Sequence, residues 1–305
     1  MIVWNYTRVH EFIFMGLTSS QDIQIILFVI FLICYLASLI GNILIILLSW
    51  INPHLHTPMY LFLSNLSFLD IWFTSSIVPK MLINFLSVNK GISFNGCFTQ
   101  LFISLGLGGT ECYLLLAMAY DRYVAICSPL HYITMMNPVL CIKMAIGSWI
   151  GGLVNALIHT VFALELPFCG PNIINHFLCE VPAVLELACT DVSLNKTVIF
   201  FCAIFVVMLP GFLILITYGY IISSILNIST SVGRKKAFST CASHITVVTL
   251  FYGTIIFMYM RPGHSHVTNQ EKMATLFYTV VTPMLNPFIY TLRNQDVKAA
   301  LLGRK

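Results

Sequence analysis

Two carboxylates stand where carboxylates are costly. Asp70 closes the run PMYLFLSNLSFLD (58–70), and Glu111 lies inside LFISLGLGGTECYLLLAMAY (101–120). Both stretches are apolar enough for lipid, and ionisable groups at such depth mark ion paths, ligand sites or polar cores. At about 1.5 Å per residue, Glu111 lies about 16 Å before Arg122 and Asp70 about 18 Å past Pro58. Those depths match when counted from the same side, and Asn42 and Asn286 fall in a similar layer. Two carboxylates at one depth repel unless a cation joins them or one keeps its proton. A Na⁺ held by Asp70 and Glu111, with amides and water, meets that demand. So does a protonated, hydrogen-bonded polar core that glues helices.

A second feature is the Asp121-Arg122 pair in MAYDRYVAIC (118–127). Arg122 lies about 37 Å along a helix from Cys97, further than the hydrocarbon thickness of about 30 Å. The pair therefore marks one lip of the bilayer. Nearer the other lip, Leu101, Ser104, Leu105 and Gly108 share one helical face that continues to Glu111. Ile199, Cys202, Ala203 and Val206 repeat that spacing, as do Tyr252, Ile255, Ile256 and Tyr259, while Asn155 and His159 add polar groups. Converging, these faces would enclose a mostly apolar cavity with a few hydrogen-bonding groups, the character of ligand sites between helices. Gly106, Gly108 and Gly109 either open that cavity or let helices approach. Pro287 removes a backbone donor and kinks its helix one turn before Tyr290, and Pro210 acts similarly. No Gly-flanked Ser with a partner His, no paired catalytic Asp motif and no His-Glu-x-x-His is present, which argues against an enzyme.

The elements that must position these groups are membrane helices. Of 305 residues, 58% are hydrophobic and 9% charged, against about 25% charged in water-soluble domains. Apolar runs of about 20 residues recur along the chain. The pattern predicts an all-α membrane protein, a bundle of seven transmembrane helices near 23–50, 58–86, 97–126, 140–162, 197–226, 236–260 and 272–292. An N-terminal segment (1–22), the bundle (23–292) and a C-terminal segment (293–305) follow. MIVWNYTRVHEF lacks the pattern of a cleaved signal peptide, so the first span is expected to act as signal anchor.

Arg122, Lys143, Arg234, Lys235, Lys236, Arg293, Lys298, Arg304 and Lys305 gather on one side, which the positive-inside rule makes cytoplasmic. The N-terminus is then extracellular, and the net charge of +4 faces anionic lipid and an acidic partner. Cys97, Cys169, Cys179 and Cys189 fall outside, an oxidising location. Four cysteines allow three pairings. Asn5-Tyr6-Thr7 is an outward glycosylation acceptor, and Asn195-Lys196-Thr197 is a second one close to the membrane. The run His176-Phe177-Leu178-Cys179-Glu180 would suit a soft metal only with Cys179 reduced, which that location disfavours.

Five motifs in order carry a family resemblance: PMYLFLSNLSFLD (58–70), MAYDRYVAIC (118–127), SPLHY (128–132), KAFSTCASH (236–244) and PMLNPFIYTLRN (283–294). Together they resemble the olfactory (odorant) receptors, a branch of the rhodopsin-like (class A) G-protein-coupled receptors. The resemblance runs from Asn5 to about Lys298. It implies that Arg122 locks to Asp121 at rest and releases on activation to meet a G protein. It implies switch roles for Tyr218, Tyr252, Asn286, Pro287 and Tyr290, and a Na⁺ site at Asp70 and Glu111. It implies Cys97–Cys179 and Cys169–Cys189 disulfides, a docking face of Arg234, Lys235 and Lys236 with the 122–143 loop, and a short amphipathic helix from Arg293, here without a palmitoylatable Cys.

The function so implied is a plasma-membrane receptor, of sensory cilia by resemblance. It would bind a small, mostly hydrophobic odorant at Leu101, Ser104, Leu105, Gly108, Asn155, His159, Cys202, Val206, Ile255 and Tyr259. A heterotrimeric stimulatory G protein would then raise cAMP. No cofactor beyond Na⁺ and no nucleic acid is expected. The alternatives are a non-olfactory chemosensory receptor or an ion-coupled transporter. Against the transporter, the chain shows no repeat of spans and no paired broken helices. Ser104 stands where amine receptors of the superfamily generally carry Asp, which disfavours a cationic ligand.

Overall fold

Prolines and small polar caps set where the helices start. Thr57 precedes Pro58, and Asn137 precedes Pro138 and accepts a hydrogen bond from Leu140 N at 2.9 Å. Proline suits a first helical turn, where its missing N–H would lack a partner anyway. Ser93 caps the next helix through Gly96 N at 3.1 Å. The computed structural model of the protein describes residues 9–170, 172–259 and 268–293, with the backbone alone at 258–259 and 291–293.

Among the described residues, six helical spans are long and apolar enough to cross a membrane. The first four are α1 (Gln21–Ile51), α2 (Pro58–Leu86), α3 (Phe94–Cys127) and, after the short α4 (Tyr132–Met135), α5 (Pro138–Leu164). The loop after α5 holds the short α6 (Val181–Leu185). The fifth span joins α7 (Ser193–Ala203), Ile204–Met208 and α8 (Leu209–Leu226), and α9 (Ser231–Tyr259) is the sixth. The seventh runs through α10 (Asn269–Leu276), Phe277–Val281 and α11 (Thr282–Arg293). Lys272, Asn286 and two prolines leave it short of the apolarity of the other six.

Ile204–Met208 and Phe277–Val281 are wide π-type turns, each ending two residues before a proline, Pro210 or Pro283. A proline ring clashes with the carbonyl four residues back, and that residue lies inside the wide turn in both cases. Widening the turn accommodates the ring.

Large apolar side chains such as Ile33, Ile40, Phe205 and Leu215 point outward, while Asn42, Asp70, Glu111 and Asn286 are buried. This inversion suits a solvent of acyl chains, where packing and interhelical hydrogen bonds hold helices together. α3 sits at the centre, packed on α2, α5, α8 and α9.

One end of the bundle carries a cap that hydropathy does not foretell. β1 (Glu11–Phe14) pairs antiparallel with β2 (Gly91–Ser93) and parallel with β3 (Ile173–Ile174). Phe12 and Phe14 turn inward onto Phe98, Leu101, Phe168 and Val184, a core separate from that of the bundle.

Candidate functional site

Beneath the cap, a cavity of about 330 Å³ opens between α2, α3, α5, the fifth span, α9 and the seventh span. Ligand pockets start at about this size. Leu101, Ser104, Leu105, Gly108, Asn155, His159, Cys202, Val206 and Ile255 all line it. The side chain of Tyr259 lies outside the described residues. Ile256, on the same stripe of α9 as Ile255, faces away and is 51% exposed. The three glycines divide their work. A Cβ on Gly108 would meet open space, whereas one on Gly106 would touch Ala156 at 3.5 Å and one on Gly109 would stand 3.2 Å from Gly152 Cα. Gly108 therefore opens the cavity, and Gly106 and Gly109 let α3 approach α5. The wide turns add Val206 and Val207 on one side and Tyr278 on the other.

The roof is the loop after α5. Cys97–Cys179 ties it to α3, Cys169–Cys189 closes it on itself, and Cys179 N donates to Gln100 Oε1 at 2.9 Å. Glu180, Val181, Pro182 and Glu186 then face the cavity. His176 is fully buried, with Nε2 3.1 Å from Glu180 Oε1. Burial first, then Lys272, pushes His176 down to about 3, so its imidazole is neutral. Burial first, then Glu271 and Glu186, pushes Glu180 up to about 7. Lys272 Nζ reaches Asn175 Oδ1 at 2.7 Å and Gly16 O at 3.3 Å, stitching the seventh span to the cap.

Deeper in the bundle lies the polar layer. Asn286 Nδ2 donates to Asp70 Oδ2 at 2.9 Å, and Asn42 Nδ2 donates to Pro283 O at 3.1 Å. Asp70 is within electrostatic reach of Glu111. Oxygens of all four residues (Asp70 Oδ1, Glu111 Oε1, Asn286 Oδ1 and Asn42 Oδ1) are buried without a hydrogen-bond partner. Such a set of hard oxygen donors fits a Na⁺ held by Asp70, Glu111 and Asn286. Among the described residues no group of three or more His, Cys, Asp or Glu could hold a metal ion.

At the opposite end, Asp121 is fully buried. Its Oδ2 accepts from Arg122 Nε at 2.9 Å and from Arg122 Nη2, and its Oδ1 accepts from Tyr132 Oη at 2.7 Å. Burial, then the Asp121 carboxylate, holds the Tyr132 phenol above its ordinary range. Tyr218 Oη meets His244 Nδ1 at 2.5 Å, and His244 Nε2 meets Leu115 O at 3.1 Å. Ser243 Oγ donates to Ile289 O at 3.1 Å, joining α9 to α11. The Tyr290 hydroxyl is buried without a hydrogen-bond partner, and Tyr252 meets Cys112. Pro287 packs on α1, where a Cβ on Gly41 would stand 2.9 Å from it.

A family model described as "Olfactory receptor" matches residues 31–303. The chain is 51% identical to "Olfactory receptor 2G3" of Homo sapiens over 97% of this chain and 96% of that protein. It is 49% identical to "Olfactory receptor 5AR1" of Mus musculus over 99% and 98%. The chain belongs to the olfactory receptor family. The fold agrees with "Crystal structure of squid rhodopsin", at a TM-score of 0.73 and 19% identity, over 94% of this chain and 81% of that one. It is thus a multi-pass class A G-protein-coupled receptor, not an enzyme.

Two partners in the receptor escape a reading of motifs. SPLHY supplies Tyr132 to Asp121, and KAFSTCASH supplies His244 to Tyr218. A tyrosine and a histidine inside motifs were visible signals, but their partners lie in other elements. Asn195 is buried, with Nδ2 donating to Phe162 O at 3.0 Å, so its amide is engaged rather than presented for glycosylation. Asn5 and the C-terminal segment from 294, where the sequence leads one to expect an amphipathic helix, lie outside the described residues.

Proposed function

We propose that this receptor binds a small, largely apolar odorant in the cavity beneath the cap and signals through a stimulatory, olfactory-type G protein, raising cAMP. The observation that carries the reading is one cavity of about 330 Å³ that gathers residues from six helical spans under a disulfide-tethered roof. A ligand there touches residues of six spans at once. It shifts the balance only through contacts that differ between resting and active arrangements, because equal binding to both shifts nothing.

The lysine and arginine distribution supports an orientation with the disulfide end outside and the Asp121 end in the cytoplasm of a plasma membrane, that of sensory cilia by family. In the resting arrangement Asp121 holds Arg122. On activation Arg122 would exchange that carboxylate for the G protein, with Arg234, Lys235 and Lys236 on the same docking face. Na⁺ would supply the positive charge that lets Asp70 and Glu111 stay close. The chain's own contribution there is Asn286, whose amide bonds Asp70 from α11 and so couples the layer to the Pro287 kink.

Filling the cavity tests the reading. Leu105→Trp and Val206→Trp should abolish cAMP responses to a chemically diverse odorant panel while surface labelling of the full-length receptor persists. Ser104→Ala and Tyr259→Phe should shift potency. Unchanged dose–response curves in both tryptophan variants would remove the cavity from the account.

A further inference from the structure

Three hydrogen-bonding side chains in this cavity have no hydrogen-bond partner among the described residues. Asn155 and His159 are 8% and 7% exposed, both line the cavity, and among the described residues neither side chain has a hydrogen-bond partner. Ser104 Oγ is buried and likewise unpaired. Buried polar groups are normally satisfied. Asn155 and His159 sit four residues apart on one face of α5. The crossing of α3 and α5 aims them inward. A Cβ on Gly152 would stand 2.2 Å from Thr110 Oγ1 and 2.4 Å from Gly106 O, so the two backbones nearly touch. A Cβ on Gly109 would stand 3.6 Å from Asn155 Nδ2, which places that amide at the edge of α3, where the cavity begins.

The trio offers both halves of a hydrogen bond. Asn155 carries NH₂ donors and a carbonyl acceptor, a neutral imidazole carries one donor and one acceptor, and a serine hydroxyl is both. An ether or ketone oxygen accepts only, leaving the acceptors of Asn155 and His159 unmatched. An alkane matches nothing. Charge narrows the choice further. No Lys or Arg among the described residues lines the cavity, while Glu180, Glu186 and Glu271 do, so an anion is repelled. Those carboxylates also do not wait for a cation. Glu271 Oε2 accepts from Thr268 N at 2.6 Å, Glu180 faces His176, and Glu186 has contacts of its own.

We propose that the odorants this receptor selects are uncharged alcohols with an apolar body, the hydroxyl held by Asn155, His159 and Ser104. This rests on the reading that odorants occupy the cavity. A site built to bond a hydroxyl rejects the analogue lacking it strongly, here by at least about tenfold in half-maximal concentration.

The test is a cAMP reporter assay on the full-length, surface-labelled receptor. Straight-chain primary alcohols of graded length are compared with the alkane, methyl ether, carboxylic acid and primary amine of each skeleton. Alcohols should be the most potent. Asn155→Leu and His159→Phe should bring the alcohol down to the level of its ether at matched surface expression, whereas His159→Gln, which keeps a donor and an acceptor, should retain the preference. If Asn155→Leu fails to reach the surface, His159→Phe and His159→Gln decide. Ethers or amines that match or exceed the alcohols, or a preference that survives His159→Phe and every surface-expressed Asn155→Leu receptor, overturn the inference and leave the cavity reading standing. Alcohol responses that persist in Leu105→Trp overturn both.

Discussion

The two ends of the bundle are held by different means. At the disulfide end, two covalent bonds, a three-stranded sheet and a cluster of phenylalanines fix the roof. Phe94 lies 4.6 Å from Phe98 and 5.9 Å from Phe12, centroid to centroid, and Phe168 stands edge-on to Phe12 at 5.8 Å. At the Asp121 end, among the described residues, no disulfide and no sheet joins the helices. One buried carboxylate is shared by Arg122 and Tyr132, and Tyr218 and His244 bridge α8, α9 and α3. A hydrogen bond to a charged group contributes about 1.5–3 kcal/mol, and a protein partner offering a similar bond can replace it. A sheet sealed by disulfides cannot be exchanged in that way. The braced end keeps a cavity in shape, and the end held by hydrogen bonds is free to switch.

Removing the brace should have the largest effect. Cys97–Cys179 closes a separation of 82 residues and Cys169–Cys189 one of 20. Loss of a native disulfide costs about 2–5 kcal/mol, more for the longer loop by about 1 kcal/mol in the chain-entropy account. Cys97→Ser should therefore remove surface expression more completely than Cys169→Ser, as measured by surface labelling against total protein. Equal expression of both variants and the wild type would show that the sheet and aromatic cluster alone suffice.

The Asp121 end should answer differently, in signalling rather than folding. Arg122→Ala should abolish odorant-evoked cAMP at normal surface expression. Asp121→Asn weakens a bond worth about 1.5–3 kcal/mol and should raise basal cAMP by about tenfold. Tyr132→Phe leaves the Arg122 contact intact and should raise it several-fold only. A silent Tyr132→Phe would mean that the loop carrying α4 takes no part in the lock.

This asymmetry also separates what the sequence tells from what it hides. The spans are legible because the bilayer demands long apolar runs, so the stretch at 58–86 reappears as Pro58–Leu86 and 97–126 as Phe94–Cys127. Helical spacing alone puts Leu101, Ser104, Leu105 and Gly108 on one face, and the packing of the helices brings Asn155, His159, Cys202, Val206 and Ile255 to the same cavity. The cap is not legible. Its strands are four, three and two residues long, too short for a period-two pattern, and β1 finds its partners about 80 and 160 residues away. Tyr132 and His244 lie in visible motifs, yet only the packing of α4 beside α3 and of α9 beside α8 pairs them. Ile256 was misplaced on the cavity face because a stripe of i, i+3, i+4 residues is wider than the cavity it borders.

The smallest effect lies in the pH response of the roof. Folding moves His176 from its ordinary 6.5 down to about 3 and Glu180 from 4.5 up to about 7. The unfolded chain binds more protons at His176 between about 3 and 6.5, so that residue makes stability fall as pH drops through the window. The folded chain binds more protons at Glu180 between 4.5 and about 7, so that residue makes stability fall as pH rises. From 4.5 to 6.5 the two slopes cancel each other, so the pair adds no net slope to the thermal unfolding of the detergent-solubilised receptor there. His176→Phe leaves Glu180 alone, so relative to the wild type melting should fall from pH 5 to pH 6.5, by about 2–4 °C per pH unit at most. Glu180→Gln leaves His176 alone, and relative to the wild type melting should rise over the same interval. Opposite slopes in the two variants would place the titrating pair in the roof. The Tyr132 phenol, held above its ordinary range, adds no slope in this window, so Tyr132→Phe should melt with the pH dependence of the wild type. A slope in Tyr132→Phe as steep as that in His176→Phe would break the contrast between the ends, since the switch would then carry the proton dependence assigned to the brace.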